Sequence, residues 1–223
     1  MSAFVALAPL VPRIAASQGV PLRLPGTGVA LTFDDGPHPQ GTPAVLDALG
    51  GVKATFFLAG EQVERFPEVA AEIAAHGHHI AVHCHRHRVQ LRLSSQAIRT
   101  DIERALETIG EATGARPAIH RPPLGIYSPA GLRVTRELGL QPLLWSRWGK
   151  DWRRWTTPER IAARATRSLA DGDVILLHDA DHYSSKGSWQ RTLAALPAIL
   201  AAAQLTGSGS TEAAGSASAV SQP

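Results

Sequence analysis

Short apolar runs alternate with longer amphipathic segments along residues 29–203, and this alternation most restricts the folds open to the chain. Apolar runs bounded by Gly, Pro or charged residues predict buried strands, whereas apolar residues three or four positions apart predict helices. Such an alternation favours a parallel sheet with helical crossovers, in a closed or partly open barrel or in a doubly wound sheet. The predicted strands are 29–33, 54–58, 79–82, 118–120, 142–145 and 174–177, and the predicted helices are 42–49, 67–75, 94–113, 129–138, 158–170 and 188–203. Thr42, Ser128 and Thr157 each precede a proline and are predicted to cap the helices that follow.

Composition and charge argue against several classes of partner. The net charge is only +3 and acidic residues lie among the basic ones, so we expect no nucleic-acid partner. No stretch approaches the roughly 18 consecutive apolar residues of a membrane-spanning helix. The single cysteine, Cys84, excludes an intramolecular disulfide and is interpreted as a packing residue.

The two ends of the chain differ from the alternating region. The apolar segment 3–11 has no Lys or Arg before it, so residues 1–28 are interpreted as a segment that packs on the domain, with an export signal or anchor as the alternative. Residues 204–223 are rich in Gly, Ser and Ala and are predicted to be a disordered tail. The predicted catalytic domain therefore spans residues 29–203.

Polar side chains follow the predicted strands at the point where each strand ends. The carboxyl ends of parallel strands lie at one edge of the sheet, where α/β folds build their active sites. The residues placed there are Asp34 and Asp35 after the first strand, His83 after the third, Arg121 after the fourth, Asp151 after the fifth and His178 after the sixth.

The residues at this edge are of the types that bind a metal ion and move protons. Adjacent carboxylates raise each other's pKa, and a metal ion that binds Asp35 would leave Asp34 free as a base. His83 and His87, four residues apart on a helical turn, would face one way and complete a site of two imidazoles and one carboxylate, whereas His85 would point elsewhere. The alternatives are an Asx-type turn or helix cap at the two aspartates and a solvated histidine-rich loop.

Other side chains near the strand ends suggest further roles. Arg121, on a rigid turn, would pair with Asp34, and His178 would donate a proton to a leaving group. The alternatives are a surface arginine and a buried histidine satisfied by a backbone carbonyl. Tryptophans cluster in the C-terminal half and suit stacking on sugar rings or packing in the core; they are Trp145, Trp148, Trp152, Trp155 and Trp189. A basic patch surrounds Trp152 and is either solvated surface or a contact for an acidic glycan; it comprises Arg147, Lys150, Arg153 and Arg154.

Residues 31 to about 200 resemble the polysaccharide deacetylase family, the NodB-homology domain of carbohydrate esterase family 4. Five motifs occur in the order expected for that family: Thr32–Pro37, His83–His87, Arg121–Pro123, Asp151-Trp152 and Leu177–Asp179. Three positions depart from the family pattern, because Cys84 replaces a Ser or Thr, Leu124 a common Tyr, and Trp148 an additional Asp that many members carry. If that Asp helps to set the pKa of the general acid, this role falls to Asp151 here or is absent. The departure bears on the substrate subclass more than on the reaction.

The resemblance implies an α/β fold, a distorted (β/α)7-type barrel in a single domain, with one divalent metal ion, zinc first and cobalt or a similar ion second. It implies that Asp34 is the catalytic base and His178 the general acid. The implied site residues are catalytic Asp34, His178, Arg121 and Asp151; metal-binding Asp35, His83 and His87; and substrate-binding Trp152, Pro122, Tyr127, Trp148 and Leu177.

The implied activity is hydrolysis of N-acetyl groups on N-acetylglucosamine-type sugars of a glycan, by a monomeric protein. The alternatives are hydrolysis of an O-acetyl ester or a small amide, and a glycan-binding module without catalysis. The resemblance favours a location in the cell envelope or outside the cell. Because the chain does not start with basic residues, a cytoplasmic location is the alternative.

Overall fold

The computed structural model describes residues 17–206, and side chains as far as residue 204. The predicted apolar segment 3–11 and most of the predicted tail lie outside the described residues. In chain order the elements are β1 (Ala30–Asp34), α1 (Gly41–Leu49), β2 (Thr55–Ala59), α2 (Gly60–Arg65), α3 (Pro67–Ala75), β3 (His79–Cys84), α4 (Ser95–Thr113), β4 (Ile119–His120), α5 (Pro129–Glu137), β5 (Gln141–Pro142), β6 (Arg147–Trp148), α6 (Pro158–Ala165), β7 (Val174–His178) and α7 (Ser188–Thr206). Short 3-10 turns occupy Gln90–Arg92 and Pro123–Gly125.

The strands form one parallel sheet in the order β5-β4-β3-β2-β1-β7-β6. The sheet curls into a distorted barrel, and within residues 17–206 no backbone pairing joins the edge strands β5 and β6. The register places Asp34, at the end of β1, beside His178, at the end of β7. The predicted fold class, a distorted α/β barrel in a single domain, is confirmed.

Alternation along the strands divides the core into two clusters, because successive strand side chains point to opposite faces. Phe33, Phe56 and Leu177 belong to the outer cluster, which packs the strands against α1, α4 and α7. Phe57 and Leu176 belong to the inner cluster, which fills the curled face of the sheet. The inner cluster forms the floor beneath the carboxyl edge.

Two of the three predicted helix caps are present. The hydroxyl of Ser128 accepts the Gly131 N–H at 2.9 Å, and that of Thr157 accepts the Arg160 N–H at 3.4 Å.

The third predicted cap, Thr42, is wrong because α1 begins one residue earlier, at Gly41, with Gln40 in the N-cap position. His38 Nδ1 accepts the Gly41 N–H at 2.8 Å and so satisfies a donor of the first turn. The Thr42 hydroxyl instead accepts the His38 N–H at 2.8 Å and donates to the buried carboxyl of Asp179.

Several element boundaries also differ from the prediction. The strand predicted over 142–145 is shorter and lies one residue earlier, and β6 and α2 were not predicted. α6 ends at Ala165, whereas α7 continues to Thr206. Within residues 17–206, none of the helices has the length and apolar character that a membrane crossing needs.

We expect the outer cluster to contribute most of the free energy of unfolding. Ile102 on α4 is a suitable position for a test because it is only 1% exposed. Ile102→Ala should lower the free energy of unfolding by about 2–5 kcal/mol through lost burial and a residual cavity. Glu107→Ala, at an exposed position of the same helix, is the matched control and should change it by less than about 0.5 kcal/mol. Urea unfolding measures both values, and equal effects of the two substitutions would contradict this account of the core.

Candidate active site

A pocket of about 210 Å³ opens at the carboxyl edge of the sheet, above the inner cluster. Its polar wall contains Asp34 and His178 from the neighbouring strands β1 and β7, and His83 from β3. The remaining lining residues are Asp35, His87, Leu124, Gly125, Trp145, Trp148, Trp152, Leu176, Tyr183 and Ser184. The sheet register thus brings together residues that are far apart in the sequence.

Asp34 is held by a fully buried arginine. Nη1 of Arg121 donates to Asp34 Oδ1 at 2.7 Å, and the guanidinium carbon lies 3.8 Å from the centroid of the Phe57 ring. The other guanidinium bonds go to the Thr32 hydroxyl and to the carbonyls of Leu143 and Leu144, at 2.8–3.1 Å. A buried cation with this many partners is fixed in place, and it orients the carboxylate of Asp34 toward the pocket.

Asp35, His83 and His87 converge on one point. Asp35 Oδ1 lies 3.4 Å from His83 Nε2 and 3.5 Å from His87 Nε2, and all three side chains are largely buried. Among the described residues, Asp35 Oδ1 has no hydrogen-bond partner. Asp35 has a φ of 79°, a left-handed conformation that is strained for a non-glycine residue and typical of functional sites.

These donors fit a divalent metal ion. Tetrahedral coordination with ligand distances near 2.05 Å requires donor atoms about 3.3 Å apart, close to the observed separations. His83 Nδ1 lies 3.9 Å from Asp34 Oδ2, beyond hydrogen-bond distance, and has no hydrogen-bond partner among the described residues. The predicted helical turn is absent, since His83 lies in β3 and His87 in an irregular segment, but the two rings still converge.

Electrostatics favours the protonation states that a metal site needs. Burial alone would raise the pKa of Asp35, but the close approach of His83, 3.4 Å away, and the nearby His178 and His87 hold it well below its usual range. Burial lowers the pKa of His87, and Asp35 opposes this only in part. Both shifts favour the forms that offer lone pairs to a cation, an ionised Asp35 and a neutral His87.

His178 is supported from behind by Asp151. Asp151 Oδ1 lies 2.9 Å from His178 Nδ1, and Oδ2 accepts the His178 backbone N–H at 2.7 Å and the Thr192 hydroxyl at 2.8 Å. Burial disfavours the imidazolium, but Asp151, with help from Asp35 and Asp34, raises the pKa of His178 to about 10. His178 Nε2 points into the pocket, 3.8 Å from Asp35 Oδ2. The ring is therefore a fixed proton donor at neutral pH.

Glu61 and Tyr183 position His87 and were not predicted. The rings of Tyr183 and His87 stack with centroids 4.3 Å apart, and the tyrosine hydroxyl donates to Glu61 Oε1 at 2.5 Å. Glu61 Oε1 also accepts the His87 backbone N–H at 3.3 Å. Glu61 comes shortly after the end of β2. A search for polar residues after every predicted strand, including this one, would therefore have found it. Tyr183 depends on the loop after β7 and had no comparable signal.

The predicted substrate contacts divide into two groups. Trp148 and Trp152 line the pocket, and the Trp152 ring lies 5.5 Å from that of His178. The structure places Pro122, Tyr127 and Leu177 outside the pocket wall.

These three placements have physical reasons. The side chain of Tyr127 is fully buried and donates its hydroxyl to the His120 carbonyl at 2.7 Å. Leu177 faces the outer cluster, so its neighbour Leu176 reaches the pocket instead. Pro122 is buried and precedes the turn that places Leu124 at the rim, 58% exposed.

A second group, His38, Asp181 and His182, also brings imidazole and carboxylate atoms close together. Because His38 Nδ1 accepts the N–H groups of Gly41 and Gln40, its Nε2 carries the proton when the ring is neutral. That nitrogen faces Asp181 Oδ1 at 3.4 Å. A metal-bound imidazole normally donates its second N–H to an acceptor, which this arrangement prevents. The donor chemistry therefore favours a hydrogen-bonded cluster at this place.

A parallel barrel with two imidazoles and a carboxylate at its carboxyl edge is typical of α/β-barrel enzymes that use a metal ion. The chain belongs to the polysaccharide deacetylase family, whose family model matches residues 23–143.

Three similar proteins illustrate the membership. The chain is 36% identical over 176 residues to a peptidoglycan-N-acetylglucosamine deacetylase of Bacillus cereus, covering 77% of this chain and 79% of that protein. It is 31% identical over 192 residues to a chitooligosaccharide deacetylase of Azorhizobium caulinodans, covering 81% of this chain and 90% of that protein. The crystal structure of the Bc1960 peptidoglycan N-acetylglucosamine deacetylase superposes with a TM-score of 0.75 and 31% identity, covering 83% of this chain and 85% of that one.

Asp151 should control the protonation of His178. In metal-free protein, NMR titration of the imidazole should give a pKa near 10 for the wild type and a lower pKa for Asp151→Asn. Because the folded pKa is raised, the pair stabilises the fold fully below the unfolded value near 6.5 and loses this contribution as pH rises through about 10. Asp47→Asn, at an exposed position of α1, is the control and should leave the titration unchanged. A similar His178 pKa in both Asp151 forms would contradict this role.

Proposed function

We propose that this protein hydrolyses the N-acetyl group of N-acetylglucosamine-type sugars in a glycan. The observation that carries the proposal is the placement of Asp34 and His178, each backed by an opposite charge, on the wall of a pocket shared with Asp35, His83 and His87. The names of the Bacillus and Azorhizobium relatives support the same activity.

Asp35, His83 and His87 would hold a divalent ion, for which the donor set favours zinc. When bound, such an ion polarises a carbonyl oxygen and makes water more acidic. Asp34 would accept a proton from the attacking water, since Arg121 fixes its carboxylate at the pocket wall. Trp148 and Trp152 would offer apolar ring surface to the sugar.

His178 would protonate the departing nitrogen. The water oxygen forms a bond to the acetyl carbon, the carbon–nitrogen bond breaks, and the products are acetate and a free amine. An amine is a poor leaving group without a proton, so the step needs an acid. His178 is suited to this because Asp151 keeps it protonated at neutral pH.

Hydrolysis of an O-acetyl ester is the second candidate, because the same site would accept an ester carbonyl. A good alcohol leaving group depends less on an acid than an amine does. The strong support of His178 by Asp151 therefore favours the amide.

Two substitutions, each tested on an amide and on an ester substrate, separate the acid role of His178 from the base role of Asp34. His178→Ala should lower turnover of chitotetraose by about 10²–10⁴-fold and affect 4-nitrophenyl acetate much less, since nitrophenolate leaves without a proton. Asp34→Asn should lower turnover of both substrates by a similar factor, because both reactions need the base. Acetate and nitrophenol release measure the rates.

Asp47→Asn is again the control and should retain wild-type rates on both substrates. A loss below about tenfold in His178→Ala on chitotetraose, or an equal loss on both substrates, would argue against the acid role of His178. Wild-type hydrolysis of the ester alone would replace the amide proposal with the esterase.

A further inference from the structure

The chain that connects His83 with His87 has no regular structure, although it must hold the two imidazoles on one point. His83 lies near the end of β3, and residues 85–89 belong to neither a helix nor a strand. Such a segment makes no helical or ladder hydrogen bonds of its own. Other groups must therefore bind its N–H donors and fix its path.

Consecutive N–H groups of this segment bind carboxylates. Asp101, in the second turn of α4, accepts the His85 N–H at Oδ2 (2.8 Å) and the Arg86 N–H at Oδ1 (3.2 Å). The next N–H, that of His87, binds Glu61 Oε1 at 3.3 Å. Three donors in a row thus end on side chains of the helices α4 and α2.

Asp101 is itself fixed in position. Its side chain is only 9% exposed, and Oδ1 also accepts Arg88 Nη2 at 2.8 Å. Its helix is anchored in the outer cluster by Ile98 and Ile102, each 1% exposed. Because α4 is packed against the sheet, a carboxylate on it can hold the segment at a constant distance from β3.

We propose that Asp101 is a positioning residue for the metal ion. By holding the backbone at His85 and Arg86, it places the imidazole of His87 beside that of His83. The proposal rests on the metal site of the proposed function and adds to it a residue that is not among those lining the pocket. Removing a group that orients a metal ligand typically weakens metal binding by about 10–100-fold.

Zinc affinity in the full chain tests this role directly. Metal-free protein is titrated with zinc against a chromophoric chelator at one pH, and thermal unfolding without metal shows that each variant is folded. Asp101→Ala should weaken zinc binding by about 10–100-fold. Asp101→Asn should give a smaller loss, about three- to tenfold, because its single carbonyl oxygen can replace only one of the two carboxylate oxygens.

Hydrogen exchange of the metal-free protein gives a readout that does not depend on zinc. The amides of His85 and Arg86 should exchange faster in Asp101→Ala than in the wild type, because they lose their acceptor. Amides of β1, which Asp101 does not bind, should keep their protection.

Two control variants separate positioning from charge. Arg88→Gln removes the cation beside Asp101 but keeps both backbone bonds, so zinc affinity should stay within about threefold of the wild type. If Asp101 acted through its charge alone, Arg88→Gln would instead strengthen zinc binding about as much as Asp101→Asn weakens it. Glu107→Gln removes a negative charge at an exposed position of the same helix and should leave affinity and exchange unchanged.

The outcomes separate this role from the function on which it rests. Wild-type zinc affinity in Asp101→Ala, or equal and opposite effects of Arg88→Gln and Asp101→Asn, would overturn the positioning role and leave the metal site intact. If Asp101→Ala does not fold, Asp101→Asn decides, and a loss of less than about threefold would overturn the role.

The wild type completes the comparison. A wild type that binds no zinc would contradict the metal site together with the positioning role. A wild type that binds zinc and shows the expected effects of Asp101, but releases no acetate from chitotetraose, would contradict the deacetylase function alone.

Discussion

The buried guanidinium of Arg121 ties the site to the fold. It connects Asp34, at the end of β1, with the carbonyls of Leu143 and Leu144, which follow the edge strand β5. Removing a cation from water is costly, and here the carboxylate, the carbonyls and the face of Phe57 offset that cost. The same bonds that hold the β5 side of the open barrel to β1 therefore orient the residue to which we assign the base role.

The pocket has a second charged pair on its other side. Asp151 holds His178 much as Arg121 holds Asp34, but with the charges reversed. Groups whose surroundings favour opposite protonation states suit acid and base roles at one pH. Asp35, His83 and His87 lie on the wall of the same pocket, and Asp35 Oδ1 has no hydrogen-bond partner among the described residues.

Much of this arrangement was predictable from the sequence. Parallel strands place their carboxyl ends at one edge, so the residues after the strands, such as Asp34 and His178, could be placed together before any coordinates were known. The contacts of Tyr183 with His87 and of Thr192 with Asp151 depend on loop paths and helix packing, which local patterns do not encode. Leu177 faces the outer cluster while Leu176 reaches the pocket, because successive residues of a strand point to opposite faces.

The central claim is that Asp35, His83 and His87 hold a divalent ion that the deacetylation requires. The most direct test measures acetate release from N-acetylglucosamine oligomers by chelator-stripped protein, before and after zinc or cobalt is restored. The account predicts activity that disappears with the metal and returns when one equivalent per chain is bound. Acetate release that persists in protein verified to be metal-free, or none from protein verified to be fully loaded, would contradict it.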